Sequence, residues 1–310
     1  MNAFVDPSSP VPAVSVVIVS FNTQPELLRC LDSLAENVSL PLEVVVVDNA
    51  SEDGTVEALR REQPRVQLIA NRENVGFARA CNQGLGAARA PFVLVLNSDT
   101  EVRPGAVEAL VQALERHPDA ALAGPRTLNS DGTLQASFGP PLTLLGEWRQ
   151  RRLMSALRAR RPEALQELEE TWRGAREPAW ISGSCLLARR SALEEVGLFD
   201  EGFFLYEEDV DLCLRLKRAG WRLVLEPDAA VVHHVGRSTQ KAPRLASLEY
   251  QRSHLRYYRK HNGRFQTVLL VAWLVASAAC SWLVSVGPGR ERRERRGEAR
   301  DLMRLVGGNS

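Results

Sequence analysis

Apolar runs alternate with amphipathic stretches over the first third of the chain. Residues 14–20 (VSVVIVS), 43–47 (EVVVV) and 92–96 (FVLVL) are almost unbroken apolar runs that are rich in valine. Such runs are typical of strands buried on both faces of a parallel sheet. Residues 66–69 (VQLI) predict a further short strand. The first part of the chain therefore predicts a buried, mostly parallel sheet.

Between these strands, apolar residues recur at the three- and four-residue spacing of amphipathic helices. The predicted helices cover residues 24–37, 55–62, 75–89 and 104–117. Alternating strands and helices predict an α/β fold with right-handed crossovers and helices on both faces of the sheet. In such sheets ligands bind at the carboxyl ends of the strands, so the polar residues that follow each strand are candidates for a site.

The rest of the chain is more charged and less regular. Residues 126–140 are expected to form a loop, and residues 142–176 a helical stretch in which six arginines (149–161) precede four glutamates (163–170). This stretch is either a solvated helical pair or a flap that meets an acceptor or a membrane surface. The acidic run YEEDVDL (206–212) opens a further predicted helix, where carboxylates complement the helix dipole.

One segment near the C-terminal end carries no charge. Residues 265–286 (FQTVLLVAWLVASAACSWLVSV) lie between Arg264 and Arg290 and would be about 33 Å long as a helix, which is enough to cross a bilayer core. We expect a membrane-associated helical segment, with a buried core helix as the alternative. Basic residues flank both ends, which suits an in-plane or re-entrant segment as well as a spanning one.

Composition excludes some classes of function. The formal net charge is +1, which provides no overall field for nucleic acid. The five cysteines are scattered without a CxxC pair, so neither a zinc site nor a disulfide framework is expected. The N-terminal residues lack the basic and apolar regions of a signal peptide. These features predict a protein on the cytoplasmic face of the cell membrane that binds no nucleic acid.

Polar residues follow three of the predicted strands. Asn97 and Asp99 end one strand and share a face because alternate residues of a strand point the same way. Oxygen ligands in this arrangement suit Mg²⁺ or Mn²⁺, which would neutralise a diphosphate. Asp48, at an earlier strand end, is placed to accept a hydrogen bond from a base or ribose. Taken singly, each of these residues is better explained as a turn or helix-capping residue, and it is their recurrence after three successive strands that favours a site.

Neither a GxGxxG nor a Walker sequence follows the first strand, so dinucleotide and P-loop binding are disfavoured. A nucleotide held by Asp48 and a cation near Asp99 therefore suggests a sugar nucleotide.

Seven motifs, in order and with characteristic gaps, cover residues 12–260 and closely resemble those of glycosyltransferase family 2, most nearly its rhamnosyltransferase-like branch. The motifs are VSVVIVSFN, VVVVDNASEDGT, NRENVGFARACNQGL, LVLNSDTEV, WISGSCLLARR, GLFDEGFFLYEEDVDLCLRLKRAGW and VVHHVGRST.

The resemblance implies a GT-A fold and a division of the chain into two halves. Residues 12–125 would bind the nucleotide sugar, and residues 126–260, with a helical insertion at 142–178, would form the acceptor-binding and catalytic half. Residues 265–310 would add the apolar membrane-associated segment and a basic tail. The family also implies an inverting, metal-dependent transfer from a nucleotide sugar.

The resemblance further assigns the donor and metal sites. The nucleotide-sugar-binding residues would be Ser20, Asn22, Asp48, Asn74, Gly76, Asn97 and Asp99. Asp99 and His233 would bind Mg²⁺ or Mn²⁺, with His234 as the alternative to His233. Asn97 stands where many members have an acid, so the expected metal site has one carboxylate fewer.

The ED pair of the family corresponds to Glu208 and Asp209. We expect Asp209 to accept the proton of the acceptor hydroxyl, with Glu208 as second choice and Asp211 as a structural residue. This role is compatible with helix capping, because the helix dipole also keeps a carboxylate ionised. The turn that carries Trp180, Gly183 and Ser184 is expected to frame the sugar or the acceptor.

The expected function is transfer of a sugar from dTDP-rhamnose or a UDP-sugar to a glycan or polyprenyl-linked saccharide in the synthesis of cell-surface polysaccharide. Two alternatives are a catalytically inactive, membrane-attached protein that binds sugar nucleotides and a sugar-1-phosphate nucleotidyltransferase. The second would need a glycine-rich basic loop after the first strand, and SFNTQPELL (20–28) has none.

Overall fold

A computed structural model describes the chain at residues 4, 12–159, 161–173, 177–234, 243–284 and 290–306. Residues 235–239 of the last predicted motif, and residues 285–286 of the apolar segment, lie outside this part.

The described residues form strands and helices in alternation. The strands are β1 (Val14–Ser20), β2 (Leu42–Asp48), β3 (Gln67–Ala70), β4 (Phe92–Asn97), β5 (Thr100–Val102), β6 (Ala120–Leu128), β7 (Phe138–Gly139), β8 (Trp180–Ile181), β9 (Cys185–Arg189) and β10 (Arg222–His233). The helices are α1 (Gln24–Asn37), α2 (Thr55–Glu62), α3 (Phe77–Ala87), α4 (Ala106–Arg116), α5 (Leu144–Arg158), α6 (Pro162–Arg173), α7 (Arg190–Val196), α8 (Glu208–Arg218), α9 (Pro243–His261), α10 (Arg264–Val284) and α11 (Arg290–Val306).

Eight of these strands form one sheet in the order β3-β2-β1-β4-β9-β6-β10-β5. Strands β3, β2, β1 and β4 are parallel to one another, whereas β9 is antiparallel to both β4 and β6. Strands β6 and β10 are again parallel, and β5 is antiparallel to β10. The predicted mostly parallel α/β sheet is therefore confirmed. Strands β9 and β10, from the later half of the sequence, complete the sheet begun by the earlier half.

Helices cover both faces of the sheet, as predicted. On one face, apolar residues of α1 and α4, such as Leu31 and Leu110, pack on β1, β2 and β4. On the other face, α3, α7 and α8 contribute Cys81, Leu193 and Leu212 to a second core. The predicted strands that are fully apolar are buried along nearly their whole length because they lie in the middle of this sheet.

The predicted loop at 126–140 is partly wrong. Residues 126–128 belong to β6, where Arg126 pairs with Ala230 of β10 across a register shift. Gly124 and Pro125 interrupt the apolar run of β6, so the sequence pattern does not indicate a strand there. Burial in the sheet provides the pairing that local preference does not.

The charged stretch at 142–176 forms the two helices α5 and α6, in agreement with the predicted helical pair; residues 174–176 lie outside the described part. Leu168 and Trp172 of α6 pack with Phe138 and Leu134, and the rings of Phe138 and Trp172 meet edge to face at 5.2 Å. This small core holds the pair against the 134–138 segment.

The apolar segment forms α10, which is long and apolar enough to cross a membrane. Leu270, Leu274 and Ala278 are buried at four-residue spacing, and the first two pack with α9. Most of the other described side chains of α10 are exposed. A core helix would be buried on most sides, so the buried-core alternative is not favoured. The helix α11 packs alongside α10 and is joined to α9 by an ion pair between Arg244 and Asp301.

Candidate active site

Asp48 is the last residue of β2, and only one of its two carboxylate oxygens is hydrogen-bonded within the described part of the chain. Its Oδ2 accepts a hydrogen bond from the backbone N–H of Ser51 at 2.9 Å. Its Oδ1 is buried and has no hydrogen-bond partner among the described residues. An unpaired buried carboxylate oxygen is costly, because it has lost water without gaining a donor. This oxygen is therefore placed to accept a hydrogen bond from a ligand.

Ser20 and Asn22 join the strand ends of β1 and β2. Asn22 has a positive φ of 55°, donates its backbone N–H to Ser51 Oγ at 2.9 Å and accepts from the backbone of Glu52 at 2.8 Å. Ser20 Oγ lies 3.2 Å from the hydroxyl of Thr23. These contacts hold the two loops that flank Asp48, so Ser20 and Asn22 line the same strand-end region.

Asn74 and Gly76 lie in the loop before α3. Asn74 Oδ1 accepts the backbone N–H of Gly76 at 3.0 Å, and Gly76 has a φ of 88°. A Cβ on Gly76 would come within 2.6 Å of the carbonyl oxygen of Phe204, and the backbone N–H of Phe77 donates to that oxygen. Glycine is thus required where this loop meets the segment that precedes α8.

Asp99 and His233 face each other at the candidate metal site. Strand β10 runs antiparallel to β5, which places His233 opposite Thr100. Asp99 Oδ1 is 3.2 Å from His233 Nε2, and Asn97 Nδ2 is 3.3 Å from the same nitrogen. The structure therefore brings together three of the predicted residues from two separate parts of the sequence.

His234 points to a different set of partners. Its Nε2 lies 2.8 Å from Glu101 Oε1 and its Nδ1 lies 2.8 Å from Ser130 Oγ. Of the two histidines that the sequence leaves open, His233 is the one beside Asp99, because consecutive residues of a strand point to opposite sides.

A side-chain relay orients the imidazole of His233. Gln135 Nε2 donates to Asn129 Oδ1 at 3.0 Å, so Gln135 Oε1 faces His233 Nδ1 at 2.9 Å and accepts its N–H. Nε2 then carries the lone pair; it accepts from Asn97 Nδ2 at 3.3 Å and lies 3.2 Å from Asp99 Oδ1. A carboxylate oxygen and an imidazole nitrogen at this separation are placed to ligate one divalent cation together.

No group of three or more His, Cys, Asp or Glu side chains with metal-binding geometry occurs among the described residues. One carboxylate and one imidazole are nevertheless a fitting protein contribution for Mg²⁺ or Mn²⁺. These ions are commonly held by one or two side chains together with substrate phosphates and water.

The Glu208–Asp209 pair begins α8. Asp209 Oδ2 accepts the backbone N–H of Gly183 at 2.8 Å, and Oδ1 accepts that of Val210 at 2.8 Å. Burial raises the pKa of Asp209, and these hydrogen bonds oppose the rise. Burial, with the nearby charge of Asp209, raises the pKa of Glu208 well above its usual value. Of the two, Asp209 is therefore the carboxyl whose ionised form receives backbone hydrogen bonds from other residues.

Residues 183 and 184 connect the Glu208–Asp209 pair to the strand end that carries the candidate metal-binding residues. Gly183 donates to Asp209, and the carbonyl of the adjacent Ser184 accepts from the backbone N–H of Asn97 at 2.9 Å. Ser184 Oγ is buried without a hydrogen-bond partner in the part of the chain that the structure describes. Asp209 and Asn97 thus lie at opposite ends of one short backbone bridge, and Asn97 is in turn 3.3 Å from His233.

The side chain of Trp180 contacts the neighbouring loop at residues 139–140. Its indole N–H donates to the carbonyl of Pro140 at 3.0 Å, and its ring packs against Gly139. The predicted role of Trp180 in framing the sugar or acceptor remains a prediction.

Asp211 has structural partners, as expected. It forms ion pairs with Arg215 at 2.7 Å and Lys260 at 2.6 Å, and lies 2.6 Å from His261 Nε2. Burial alone would raise the pKa of Asp211, but these hydrogen bonds and charges lower it.

Sequence reasoning missed the contribution of α9. Its face towards α8 carries aromatic, hydroxyl and imidazole side chains, which we interpreted only as a basic flank. The available signal is their helical spacing. The residues are Tyr250, Ser253, His254, Tyr257, Tyr258 and His261.

Comparison with known proteins is consistent with this geometry. The family model described as "Glycosyl transferase family 2" matches residues 15–197. The chain is 36% identical over 240 residues to an N-acetylglucosaminyl-diphospho-decaprenol L-rhamnosyltransferase of Mycobacterium tuberculosis, covering 74% of this chain and 78% of the relative. It is 30% identical over 230 residues to the succinoglycan biosynthesis protein ExoO of Rhizobium meliloti, covering 73% of this chain and 61% of the relative.

Solved structures share the fold at low sequence identity. The mannosyltransferase PcManGT from Pyrobaculum calidifontis, in complex with GDP-Man and Mn²⁺, superposes with a TM-score of 0.56 at 20% identity, covering 98% of this chain and 88% of that one. TarS 1–349 from S. aureus, in complex with UDP-GlcNAc, gives 0.55 at 18% identity, with coverage of 94% and 81%.

The chain belongs to glycosyltransferase family 2 and is similar to rhamnosyltransferases within it. The predicted GT-A fold class is confirmed.

The raised pKa of Glu208 has a measurable effect on stability. An acid whose pKa is higher in the folded state destabilises the fold as pH rises from about 4.5 towards that higher value. We expect Glu208→Gln to raise Tm at pH 8 and to leave it nearly unchanged at pH 4. A tenfold change in proton affinity is about 1.4 kcal/mol, or roughly 2–4 °C in Tm for a domain of this size.

The measurement is thermal unfolding at both pH values, with the exposed Glu73→Gln as the control. An equal loss of Tm at pH 4 and pH 8 in Glu208→Gln would contradict a raised pKa of Glu208.

Proposed function

We propose that this protein is an inverting, metal-dependent glycosyltransferase that moves a sugar from a nucleotide sugar to an acceptor hydroxyl. The observation that carries the proposal is the bridge at 183–184, which has the Asp209 carboxylate at one end and the Asp99–His233 pair near the other. An inverting displacement needs a base and a leaving-group site on opposite sides of the sugar.

Asp209 is the proposed general base. The N–H groups of Gly183 and Val210 and the first turn of α8 favour its ionised form, so that it accepts the proton of the attacking hydroxyl. Glu208, whose pKa burial raises, is the proposed second acid of the pair. Asp99 and His233, with Asn97 beside them, are the residues that would hold Mg²⁺ or Mn²⁺. The ion would supply neutralisation of the charge on the departing diphosphate.

The donor is proposed to bind along the ends of β1, β2 and β4. Asp48 Oδ1 would accept a hydrogen bond from the base or ribose, and this gives the unpaired oxygen its partner. Ser20, Asn22, Asn74 and Gly76 would shape the same region. We propose dTDP-rhamnose as the first candidate donor, since the M. tuberculosis relative is an L-rhamnosyltransferase; UDP-galactofuranose, UDP-glucose and other UDP-sugars follow.

The acceptor is proposed to be a polyprenyl-linked saccharide used in cell-surface polysaccharide synthesis, in keeping with the name of the same relative. It would bind on the side formed by residues 126–260, while residues 12–125 bind the donor. Gly183 and the unpaired hydroxyl of Ser184 stand at the boundary of the two halves.

A lipid-borne acceptor fits attachment to the cytoplasmic face of the membrane. The exposed side of α10 presents Phe265, Val268 and Val275. Helix α5 lies beside it, with the guanidinium of Arg151 at 4.4 Å from the centre of the Trp273 ring. Helix α11, which is strongly charged, packs along α10, and this favours attachment in the plane of the membrane surface over a span.

Replacement of Asp209 tests the proposed base. Asp209→Asn should lower the rate of transfer by about 10²–10⁴-fold while nucleotide binding stays unchanged, because the amide cannot take the proton. The assay combines the purified protein, Mg²⁺, a panel of nucleotide sugars and a polyprenyl diphosphate N-acetylglucosamine acceptor. It detects released nucleoside diphosphate, and calorimetry reports nucleotide affinity. Transfer at the wild-type rate by Asp209→Asn would place the base elsewhere.

Charges on the exposed side of α10 test membrane attachment. The double variant Val268→Asp/Val275→Asp should move the protein from the membrane fraction to the soluble fraction, because a helix attached in the plane of the surface binds by burying its apolar side, and a carboxylate on that side opposes the burial. Leu245→Asp is the control, because Leu245 is as exposed as Val268 but lies on α9. An unchanged distribution of the double variant would show that α10 does not anchor the protein.

A further inference from the structure

The segment that leads into the catalytic pair has an unusual backbone. Tyr206 and Glu207 are consecutive non-glycine residues with positive φ, at 69° and 63°. The left-handed region is unfavourable for side chains with a Cβ, and such residues persist only where surrounding contacts hold them. Glu208 and Asp209 follow directly, so the contacts that hold this turn also set the direction of the catalytic carboxylates.

Those contacts come largely from one face of α9. The ring of Tyr250 meets the ring of Tyr206 edge to face at 5.9 Å. Ser253 Oγ donates to the carbonyl of Leu205 at 2.7 Å, and His254 Nδ1 lies 2.6 Å from Glu207 Oε1. The three residues of α9 are spaced at three and four positions, so they form one stripe along the turn.

His254 is the most buried of these three residues, with 1% of its surface exposed. Its second ring nitrogen, Nε2, lies 3.2 Å from Glu147 Oε1 of α5. Arg151 and the hydroxyl of Tyr258 also contact Glu147. Burial alone would lower the pKa of His254, but the hydrogen bonds and charges of Glu147 and Glu207 raise it to about 9. At neutral pH the ring is therefore an imidazolium that donates its Nδ1–H to Glu207 and is ion-paired, without hydrogen-bond geometry, to Glu147 through Nε2.

We propose that His254 is a positioning residue of the transfer reaction: by bridging Glu147 and Glu207, it holds the left-handed turn that orients Asp209. The proposal rests on Asp209 as the general base. It adds that α9, outside the strand ends of the donor site, determines the geometry of that base.

Among the described residues, His254 is the side chain that hydrogen-bonds the carboxylate of Glu207. The backbone carbonyl of Glu207 accepts the N–H of Asp211 at 2.9 Å, which is the first hydrogen bond of α8. The carboxylate Oε2 of Glu207 is buried without a hydrogen-bond partner in this part of the chain. Loss of the imidazolium therefore leaves Glu207 buried and uncompensated. The turn relaxes, and Asp209 moves away from the N–H of Gly183.

Three variants test the proposal. His254→Gln removes the charge and the bridge. Glu207→Gln removes the charge on the turn and leaves the contact between His254 and Glu147 in place. His261→Gln is the matched control: His261 is also on α9 and bonded to a buried carboxylate, but Asp211 keeps Arg215 and Lys260 when His261 is lost.

Two readouts are measured on the full-length protein: steady-state transfer kinetics, and hydrogen–deuterium exchange of the peptide that covers residues 203–212. In His254→Gln we expect faster exchange of this peptide and a loss of about 10–100-fold in kcat, the range for a displaced catalytic group, with KM for the nucleotide sugar unchanged. Glu207→Gln should change both readouts in the same direction by less, and His261→Gln should match the wild type.

Wild-type exchange and kcat in His254→Gln would overturn the proposal, and so would a raised KM with unchanged kcat. If thermal unfolding shows that His254→Gln does not fold, the test falls to Glu207→Gln. Exchange of residues 203–212 at the wild-type rate in that variant would reject the proposal that His254 holds the turn. The exchange measurement does not depend on turnover. A wild-type protein without transfer activity would therefore contradict the proposed function, whereas unchanged exchange in the variants would contradict the role of His254.

Discussion

The hydrogen bond from the backbone N–H of Gly183 to Asp209 Oδ2, 2.8 Å long, is the contact on which the site depends. It joins the first turn of α8 to the turn that enters β9. The next residue, Ser184, uses its carbonyl to accept the N–H of Asn97 at the end of β4. Because β9 lies between β4 and β6 in the sheet, this bridge is anchored by strands on both sides. An acid from one helix and a carboxylate–imidazole pair from two strands are thereby held in one region.

Keeping acids at this place requires burial of several charges, and the structure balances them locally. Burial raises the pKa of Glu208, Asp209 accepts two backbone hydrogen bonds, and Asp211 forms ion pairs with Arg215 and Lys260. Buried ion pairs contribute little net stability, although breaking one is costly because it leaves an uncompensated charge. Their main effect here is geometric: residues 200–211 are joined to α9 by Asp200 with Arg256 and Lys260, by Asp211 with Lys260, and by Glu207 with His254. Helix α9 in turn packs on α10, so the proposed membrane helix and the proposed base share one support.

The sequence predicts much of the fold because the central strands are simple. β1, β2 and β4 are unbroken apolar runs, and a buried parallel sheet is the arrangement that suits them. Strand β6 was missed because Gly124 and Pro125 interrupt its pattern and its pairing with β10 is set by tertiary contacts. Asp48 and Asp99 were predicted as site residues from their positions after strands, and Asp209 from the family resemblance and its place at a helix start. The structure adds that His233, and not His234, lies beside Asp99. The proposed role of α9 was not predicted: its polar residues show helical spacing, but nothing in the sequence indicates that they pack on a left-handed turn.

The central claim is that the Asp99–His233 pair and Asp209 face one diphosphate-binding cleft. Anomalous diffraction from crystals soaked with Mn²⁺ and a nucleoside diphosphate tests it most directly. The account predicts a manganese peak bonded to Asp99 and His233 Nε2, at about 2.0–2.3 Å, with the diphosphate on the side that faces Asp209. A peak between Glu101 and His234 instead, or a diphosphate bound on a surface that Asp209 does not reach, would contradict it.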